Sequence, residues 1–204
     1  SRRTARFILF GLVAAHQAVA HSGLDISQIA ERVGVEIGSG IGGLEILENT
    51  MTTLKEKGPA KVSPFTVPMM ICDMASGQVA IRFGAKGPNS CSVTACASAA
   101  NSMGNAFRLI QNGTARAMIC GGAEAAVTPL GMASFCAARS LSTRNDDPTA
   151  ASRPFDVDRD GFVMGEGSAV FIFESLESAL ERGAPILAEV SGFGSTGDAY
   201  HITA

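Results

Sequence analysis

Apolar and polar positions repeat along this chain in two alternating ways, one typical of helices and one typical of strands. Ile8, Leu12, Ala15 and Val19 lie at helical spacing and are followed by Gly23, a residue type that commonly ends helices. The same patterns predict further helices over 44–54, 67–83, 97–111, 131–138 and 176–182, and strands over 33–37, 90–94, 117–120, 163–173 and 186–193. Strands that alternate with helices favour an α/β fold whose sheet is mainly parallel and covered on both faces.

The composition narrows the class of protein. The 204 residues are 46% hydrophobic and 17% charged, with 23 glycines and a net charge of −3. This composition excludes intrinsic disorder, and the charge argues against binding to nucleic acid or anionic membranes through bulk charge. No apolar run reaches the roughly 18 residues of a membrane span. The five cysteines contain no C-x-x-C pair, so we expect no metal site of the zinc type, no disulfide framework and a reducing compartment.

Residues 38–43 read Gly-Ser-Gly-Ile-Gly-Gly and satisfy the dinucleotide-binding pattern G-x-G-x-x-G. A dinucleotide-binding domain also needs a second strand that carries an acidic residue roughly 20 positions later. The segment 57–63 contains neither a strand pattern nor a carboxylate. We therefore interpret 38–43 as a tight turn in which backbone segments pack closely.

A second motif lies in the long polar segment 139–161. Asp156, Asp158 and Asp160 open a calcium-loop pattern, but its twelfth position, which should be a bidentate glutamate, is Gly167. We interpret the segment as a surface loop whose shape is fixed by ion pairs that involve Arg153 and other basic residues such as Arg159.

The strongest candidate for chemistry is Cys96. It lies in Thr94-Ala95-Cys96-Ala97-Ser98, where a predicted strand meets a predicted helix, which is the geometry of a nucleophile elbow. Unpaired N–H groups and a partial positive charge at the helix N-terminus favour the thiolate, which is the attacking species. A buried, inert cysteine is the alternative interpretation. A serine hydrolase elbow is excluded because G-x-S-x-G is absent from the chain.

Seven short segments carry a further, shared signal. They are Gly87-Pro88-Asn89, Thr94-Ala95-Cys96, Gly121-Gly122-Ala123-Glu124, Ala138-Arg139-Ser140-Leu141-Ser142, Ser152-Arg153-Pro154-Phe155-Asp156, Asp160-Gly161-Phe162-Val163-Met164-Gly165-Glu166-Gly167 and Asp198-Ala199-Tyr200-His201. Together they resemble the β-ketoacyl-acyl-carrier-protein synthases, and most closely the synthase II type of fatty-acid synthesis. The resemblance runs across essentially the whole chain.

This resemblance implies a thiolase-like, layered αβαβα fold of two similar halves, of which the chain forms most of the first. It implies that the family's first strand lies upstream of Ser1. The two catalytic histidines, a supporting lysine and a gating loop would lie downstream of Ala204. His16, His21 and His201 match neither catalytic histidine, and we expect the first two to be solvated. We therefore expect the 204 residues alone to be inactive in condensation.

By the same resemblance, Cys96 accepts an acyl chain from acyl-carrier protein before that chain condenses with malonyl-carrier protein. The positions that match the family's acyl pocket are Ile41, Gly131 and Phe135. The positions that match or neighbour its basic docking surface for the acidic carrier protein are Arg2, Arg3, Lys61 and Arg139. Ala60 stands where relatives often carry a further base.

The resemblance further implies that no cofactor is needed, since the substrate is carried on the phosphopantetheine of acyl-carrier protein. It implies a homodimer without nucleic-acid or membrane partners, located in the cytoplasm, or in a plastid or mitochondrial matrix if the source is eukaryotic. The alternatives are a non-catalytic ketosynthase-like partner, which the presence of Cys96 disfavours, and a polyketide ketosynthase, which more often has serine-rich positions after the cysteine. A dinucleotide-binding domain is the alternative from another class.

Overall fold

The computed structural model describes residues 4–202. The helices in this range are α1 (Arg6–Ser22), α2 (Leu44–Lys57), α3 (Thr66–Met70), α4 (Met74–Phe83), α5 (Ser98–Gln111), α6 (Pro129–Ala137) and α7 (Leu176–Glu181). The strands are β1 (Val33–Gly38), β2 (Asn89–Ser90), β3 (Ala117–Glu124) and β4 (Gly167–Glu174). None of the helices between residues 4 and 202 is long and apolar enough to cross a membrane.

Local sequence signals account for several helix ends. α1 ends at Gly23, whose φ of 63° is the left-handed conformation that glycine adopts without strain. The Thr128 side chain accepts a hydrogen bond from the Gly131 N–H at the start of α6, where Pro129 occupies the first position. Ser175 caps α7 in the same way through the N–H of Ser178. The predicted helices in these regions are confirmed.

The four strands form one sheet in the order β2-β1-β3-β4. β1 pairs in parallel with β2 and β3, whereas β4 runs antiparallel to β3 at the edge. The prediction of a mainly parallel sheet therefore holds for the first three strands, and β4 adds an antiparallel edge of a kind common in such folds. Every residue of β1 is buried, as expected for a strand covered on both faces.

Helices cover both faces of this sheet. Successive side chains of a strand point to opposite faces, so Ala117 and Ile119 of β3 join a core with α1 and α4. Met118 and Cys120 join a second core on the other face with Ala106 of α5. The sheet is thus the middle layer between α1 with α4 and α5, as the alternation of elements predicts.

One predicted helix is divided in two. The pattern predicts a continuous helix over 67–83, but α3 ends at Met70 and Ile71 has an extended backbone, with ψ of 140°. The Met70 carbonyl at this break accepts a hydrogen bond from the Gly43 N–H at 2.9 Å. The break follows from this contact with a segment distant in sequence, which a helical pattern cannot show.

Two of the strands predicted from the sequence do not form as expected. The strand expected over 90–94 is reduced to Asn89–Ser90, because the chain then turns sharply toward α5. In the described part of the chain, no strand forms over 186–193, where a β-branched pattern predicts one. A strand needs a hydrogen-bonded neighbour, and this segment has none among residues 4–202.

Candidate active site

Cys96 is exposed on a single 3-10 turn, Ala95–Ala97, which leads directly into α5. The turn is sharp because Ala95 has a φ of 49°, a left-handed conformation that is uncommon for a residue with a Cβ. The thiol therefore lies at the N-terminal end of a 14-residue helix, where backbone N–H groups lack intrahelical acceptors. The sharp turn and the helix agree with the predicted elbow, although the preceding strand ends at Ser90, and the exposed thiol excludes the alternative of a buried cysteine.

Hydrogen bonds hold this turn in its unusual conformation. The buried Ser98 hydroxyl accepts from the Thr94 N–H at 2.9 Å and donates to the Ala95 carbonyl at 2.7 Å. The Asn101 side chain donates to the Thr94 hydroxyl at 2.7 Å. The first turns of α5 thus bind the segment that precedes the cysteine, which offsets the backbone strain at Ala95.

Two glycines allow α5 to approach the sheet closely beneath Cys96. Gly38 and Gly122 are paired in register at the ends of β1 and β3. A Cβ at Gly38 would lie 2.4 Å from the Ser98 carbonyl oxygen, and one at Gly122 would lie 2.5 Å from the Ala99 Cβ. The cysteine turn therefore rests on the carboxyl ends of two parallel strands, the usual position of active sites in α/β folds. The close backbone packing at Gly38 agrees with the interpretation of 38–43, whereas sequence reasoning missed the role of Gly122, although glycine within a strand pattern signals close approach.

The turn that follows β1 is held by a carboxylate from β3. Glu124 accepts hydrogen bonds from the N–H groups of Gly40 at 2.7 Å and Ile41 at 3.2 Å, and from the Ser39 hydroxyl at 3.2 Å. In a dinucleotide-binding domain the N–H groups of this loop would bind phosphate. Here an acidic side chain occupies them, so the interpretation as a tight turn is confirmed and the dinucleotide-binding alternative is wrong.

The three predicted pocket residues lie on two neighbouring parts of the fold. Ile41 is partly exposed in the turn before α2, and a Cβ at Gly131 in α6 would lie 3.3 Å from the Leu44 side chain in α2. The Phe135 ring packs edge-on against Phe162 at 5.2 Å between centroids. The described chain contains cavities of about 210 and 490 Å³, and these two are lined neither by Cys96 nor by the three pocket residues. Their common pocket remains a prediction.

The predicted docking residues are surface residues where they are described. Lys61 is exposed at the end of a 3-10 turn after α2 and lines the smaller cavity. Arg139 is exposed just after α6, with a left-handed φ of 54°. Arg2 and Arg3 lie outside the described residues. The contribution of these four residues to docking remains a prediction.

The acidic segment 156–160 forms the structural loop that its sequence suggests. Asp160 accepts hydrogen bonds from Ser142 at 2.6 Å and from the N–H and hydroxyl of Thr143, and it pairs with Arg153 at 3.1 Å. These hydrogen bonds, of which the Ser142 bond is the strongest contribution, lower the pKa of Asp160 well below its ordinary value. Arg159 donates to the backbone carbonyl of Asp156 at 2.8 Å and forms no ion pair in the described part of the chain, so the expected ion pair is confirmed for Arg153 and wrong for Arg159. Donors from the segment 139–161 itself thus occupy the Asp160 carboxylate.

The other cysteines differ from Cys96 in their surroundings. Burial raises the pKa of Cys91 to about 11 and also raises the pKa of Cys72 and of Cys120. Cys136 is exposed in α6. Among the histidines, His16 and His21 are exposed on α1, as expected, and the His16 ring stacks on Phe83 at 6.4 Å. The thiols of Cys96 and Cys136 are therefore the two that solvent reaches readily.

An exposed cysteine on a sharp turn at the carboxyl ends of parallel strands, within a helix–sheet–helix unit, defines the class as an α/β protein with a candidate cysteine nucleophile. The comparison with family models agrees. Residues 1–179 match the model described as "Beta-ketoacyl synthase, N-terminal domain", and the chain belongs to this family.

Curated relatives are similar over the whole chain. The 3-oxoacyl-[acyl-carrier-protein] synthase 2 of Synechocystis sp. is 60% identical over 205 residues, which cover 100% of this chain and 49% of that protein. The protein of the same name from Staphylococcus aureus is 57% identical over 205 residues, with 100% and 51% covered. The chain spans about half the length of these relatives.

Solved structures confirm the predicted thiolase-like α/β fold. A β-ketoacyl synthase from Burkholderia phymatum is 34% identical with a TM-score of 0.90, and covers 99% of this chain and 50% of its own. A type II polyketide ketosynthase, solved in complex with its acyl-carrier protein and bound to the hexaketide, is 33% identical with a TM-score of 0.93. That match covers 98% of this chain and 50% of the ketosynthase chain.

Proposed function

We propose that the protein carrying this sequence is a condensing enzyme of fatty-acid elongation, a 3-oxoacyl-acyl-carrier-protein synthase. The observation that carries the proposal is the exposed Cys96 on a sharp turn at the start of α5, above the carboxyl ends of β1 and β3. The 57–60% identity to synthases named for this activity supports it. The similarity to these synthases covers 100% of the chain, so the cysteine segment lies within the matched region.

In the first step, the Cys96 thiolate attacks the thioester carbon of an acyl-carrier protein. A new carbon–sulfur bond to Cys96 forms, and the phosphopantetheine thiolate of the carrier leaves and takes up a proton. The N-terminal end of α5 stabilises the negative charge on the attacking sulfur. The backbone N–H of Cys96 is one proposed donor to the oxygen on which charge develops. Covalent capture divides one difficult reaction into two easier ones.

In the second step, a malonyl-carrier protein loses carbon dioxide, and the electron pair of the broken bond remains on the adjacent carbon. That carbon attacks the Cys96 thioester, a carbon–carbon bond forms and the Cys96 thiolate leaves. The product is an acyl chain two carbons longer with a 3-oxo group, attached to the carrier. The groups that assist decarboxylation are, by resemblance, histidines downstream of Ala204, so we expect no condensation from these 204 residues alone.

We infer that Ile41, Gly131 and Phe135 contact the acyl chain, since hydrophobic side chains with one glycine gap suit an alkyl substrate. We assign docking of the acidic carrier protein to Lys61, Arg139, Arg2 and Arg3, since local positive charge accelerates association with an acidic partner. The exposure of Lys61 and Arg139 supports this assignment. The proposal includes a homodimer in the cytoplasm that uses no cofactor of its own.

Intact-mass spectrometry tests the acyl-transfer step. The natural protein that contains this sequence is incubated with acyl-carrier protein charged with a saturated acyl chain. We expect the protein mass to rise by one acyl group less one hydrogen, and we expect Cys96→Ala to lose this gain completely. Cys136→Ala is the matched control, because Cys136 is the other exposed thiol, and it should acylate as the wild type does.

Two results would contradict the proposal. Acylation of Cys96→Ala at the wild-type rate would show that Cys96 is not the acceptor. A wild-type protein that acquires no acyl group, although it is folded and binds carrier protein, would instead fit the non-catalytic partner. Formation of the 3-oxo product from malonyl-carrier protein then tests the second step separately.

A further inference from the structure

Glu124 is the last residue of β3, and its carboxylate accepts hydrogen bonds from a segment that is distant in the sequence. Its three hydrogen-bond donors are the Gly40 N–H at 2.7 Å, the Ile41 N–H at 3.2 Å and the Ser39 hydroxyl at 3.2 Å. All three belong to the turn that joins β1 to α2, more than 80 positions earlier in the chain. In the described part of the chain, no basic side chain forms an ion pair with Glu124. The hydrogen bonds that this carboxylate accepts therefore all come from one turn.

Two further hydrogen bonds hold this turn, one within it and one to the end of α3. The Ser39 hydroxyl, which donates to Glu124, accepts from the Gly42 N–H at 3.1 Å. The Gly43 N–H donates to the Met70 carbonyl at 2.9 Å. The N–H groups of four consecutive residues after Ser39 are thus engaged, two of them by Glu124. A carboxylate forms hydrogen bonds that are roughly twice as strong as neutral ones, so Glu124 is the main external restraint on this turn.

The restrained turn lies directly against the turn that carries the cysteine. A Cβ at Gly40 would lie 3.1 Å from the Ala95 carbonyl oxygen and 3.0 Å from the Glu124 carboxylate. Gly40 is therefore packed between Glu124 and Ala95, the residue before Cys96. Ala95 is also the strained residue of the elbow, with a φ of 49°. A movement of the Gly40 turn away from Ala95 would remove a contact that supports this conformation.

We propose that Glu124 is a positioning residue for the reaction. It holds the turn 39–42 against Ala95, which fixes Cys96 and the acyl-pocket residue Ile41 relative to each other. The inference rests on the proposed function for its meaning in catalysis. The contacts that lead from Glu124 through Gly40 to the cysteine turn exist whatever the substrate is, so they should affect the Cys96 thiol in any reaction.

The chemistry of the side chain supplies a discriminating pair of variants. In Glu124→Gln the amide oxygen can accept from the Gly40 and Ile41 N–H groups, and the amide nitrogen can donate to the Ser39 hydroxyl. The variant keeps the geometry and loses the charge. In Glu124→Ala both N–H groups lose their acceptor and the turn loses its restraint. If Glu124 acts by position, glutamine restores what alanine removes.

The experiment measures two rates on the natural protein. The first is alkylation of Cys96 by iodoacetamide, followed by peptide mass spectrometry. The second is acyl transfer from carrier proteins charged with chains of different length. For Glu124→Ala we expect a roughly 10- to 100-fold fall in kcat/KM for acyl transfer, because small displacements of a reacting group are costly. We also expect an altered order of preference among chain lengths, because Ile41 moves with the turn. For Glu124→Gln we expect rates within about fivefold of wild type.

Asp25→Ala is the matched control, because the Asp25 carboxylate also accepts from a backbone N–H and a serine hydroxyl, both of Ser27. It lies on an exposed turn after α1 and should leave both rates unchanged. A merely structural role for Glu124 would lower the unfolding midpoint and the active fraction together, and the preference of the remaining enzyme among chain lengths would not change.

Each remaining outcome decides the proposal. It is overturned if Glu124→Ala alkylates and acylates at wild-type rates, or if Glu124→Gln is as impaired as Glu124→Ala, since charge would then be the cause. If the wild-type protein accepts no acyl group, the proposed function fails. In that case the positioning role of Glu124 is still supported if Cys96 alkylates at a different rate in Glu124→Ala and at the wild-type rate in Glu124→Gln. If alkylation is unchanged in that case, the positioning proposal fails as well.

Discussion

Replacement of Gly38 by alanine is the most direct test of how the fold places Cys96. Gly38 is the last residue of β1 and lies under the first turn of α5. A Cβ there would lie 2.4 Å from the Ser98 carbonyl oxygen, 2.5 Å from its carbonyl carbon and 2.9 Å from the Ser102 hydroxyl. Two of these three atoms are backbone, so no side-chain rotation can relieve the overlap.

The size of the effect follows from these distances. An ordinary contact for a Cβ begins near 3.4 Å, so the start of α5 must withdraw by about 1 Å. Forcing an additional methyl group into a packed interior costs about 1–3 kcal/mol of unfolding free energy. A shift of about 1 Å in a catalytic group can lower the rate roughly 100-fold. We therefore expect Gly38→Ala to lower the rate of acyl transfer to Cys96 roughly 100-fold and the free energy of unfolding by about 1–3 kcal/mol.

Urea unfolding gives the stability change, and intact-mass kinetics of acylation give the change in rate. Gly77→Ala is the matched control, because Gly77 lies within α4 and a Cβ there meets only the Met74 sulfur at 3.7 Å. It should stabilise the protein by up to about 1 kcal/mol, since alanine is the better helix former, and leave acylation unchanged. The reasoning is refuted if Gly38→Ala matches wild type in both the urea midpoint and the acylation rate.

Two further predictions concern ionisable groups. At pH 8, iodoacetamide should modify Cys96 faster than Cys91 or Cys120, because burial raises the pKa of Cys91 to about 11 and that of Cys120 further. Peptide mass spectrometry measures the three rates, and equal rates in the folded protein would contradict this prediction. Burial tends to raise the pKa of Glu174, but hydrogen bonds from Arg182 and neighbouring groups outweigh it and leave the pKa below its ordinary value of 4.5. The stability contributed by this carboxylate is therefore complete above about pH 4.5 and is lost as the pH falls through the lowered pKa. Between pH 5 and 3, the urea midpoint of Glu174→Gln should therefore decline less steeply than that of the wild type. A decline as steep as that of wild type would exclude Glu174 as a source of the acid sensitivity.

Patterns within a few residues predicted the parts of the fold that depend on local chemistry. α1 ends at Gly23 and α2 begins at Leu44, as the apolar spacing and glycine positions indicate. The turn into α5 at Cys96 is predicted by small residues followed by a helix pattern, whereas the strand predicted before it stops at Ser90. These predictions succeed because helix hydrogen bonds join residues four apart, so the sequence nearby contains the information.

Predictions failed where a distant segment decides the conformation. The helix expected over 67–83 is broken at Ile71, beside the Met70 carbonyl that accepts from Gly43. The strand expected over 186–193 is absent from the described chain, because strand formation depends on a partner and not on β-branched residues alone. The antiparallel direction of β4 was missed for the same reason, since a single strand has no direction relative to the sheet until it pairs.

Cys96 as the candidate nucleophile, most of the helices and the family resemblance could all be predicted from the sequence alone. How the Cys96 thiol is held depends instead on contacts that form only in the folded chain. The sequence shows Gly38, Gly122 and Glu124 only as members of short motifs and does not show what each of them contacts. Their roles arise because pairing of β1 with β3 brings Glu124 to Gly40 and both glycines under α5. Such contacts join residues that are distant in the sequence, 84 positions apart for Gly40 and Glu124, and no local pattern encodes them.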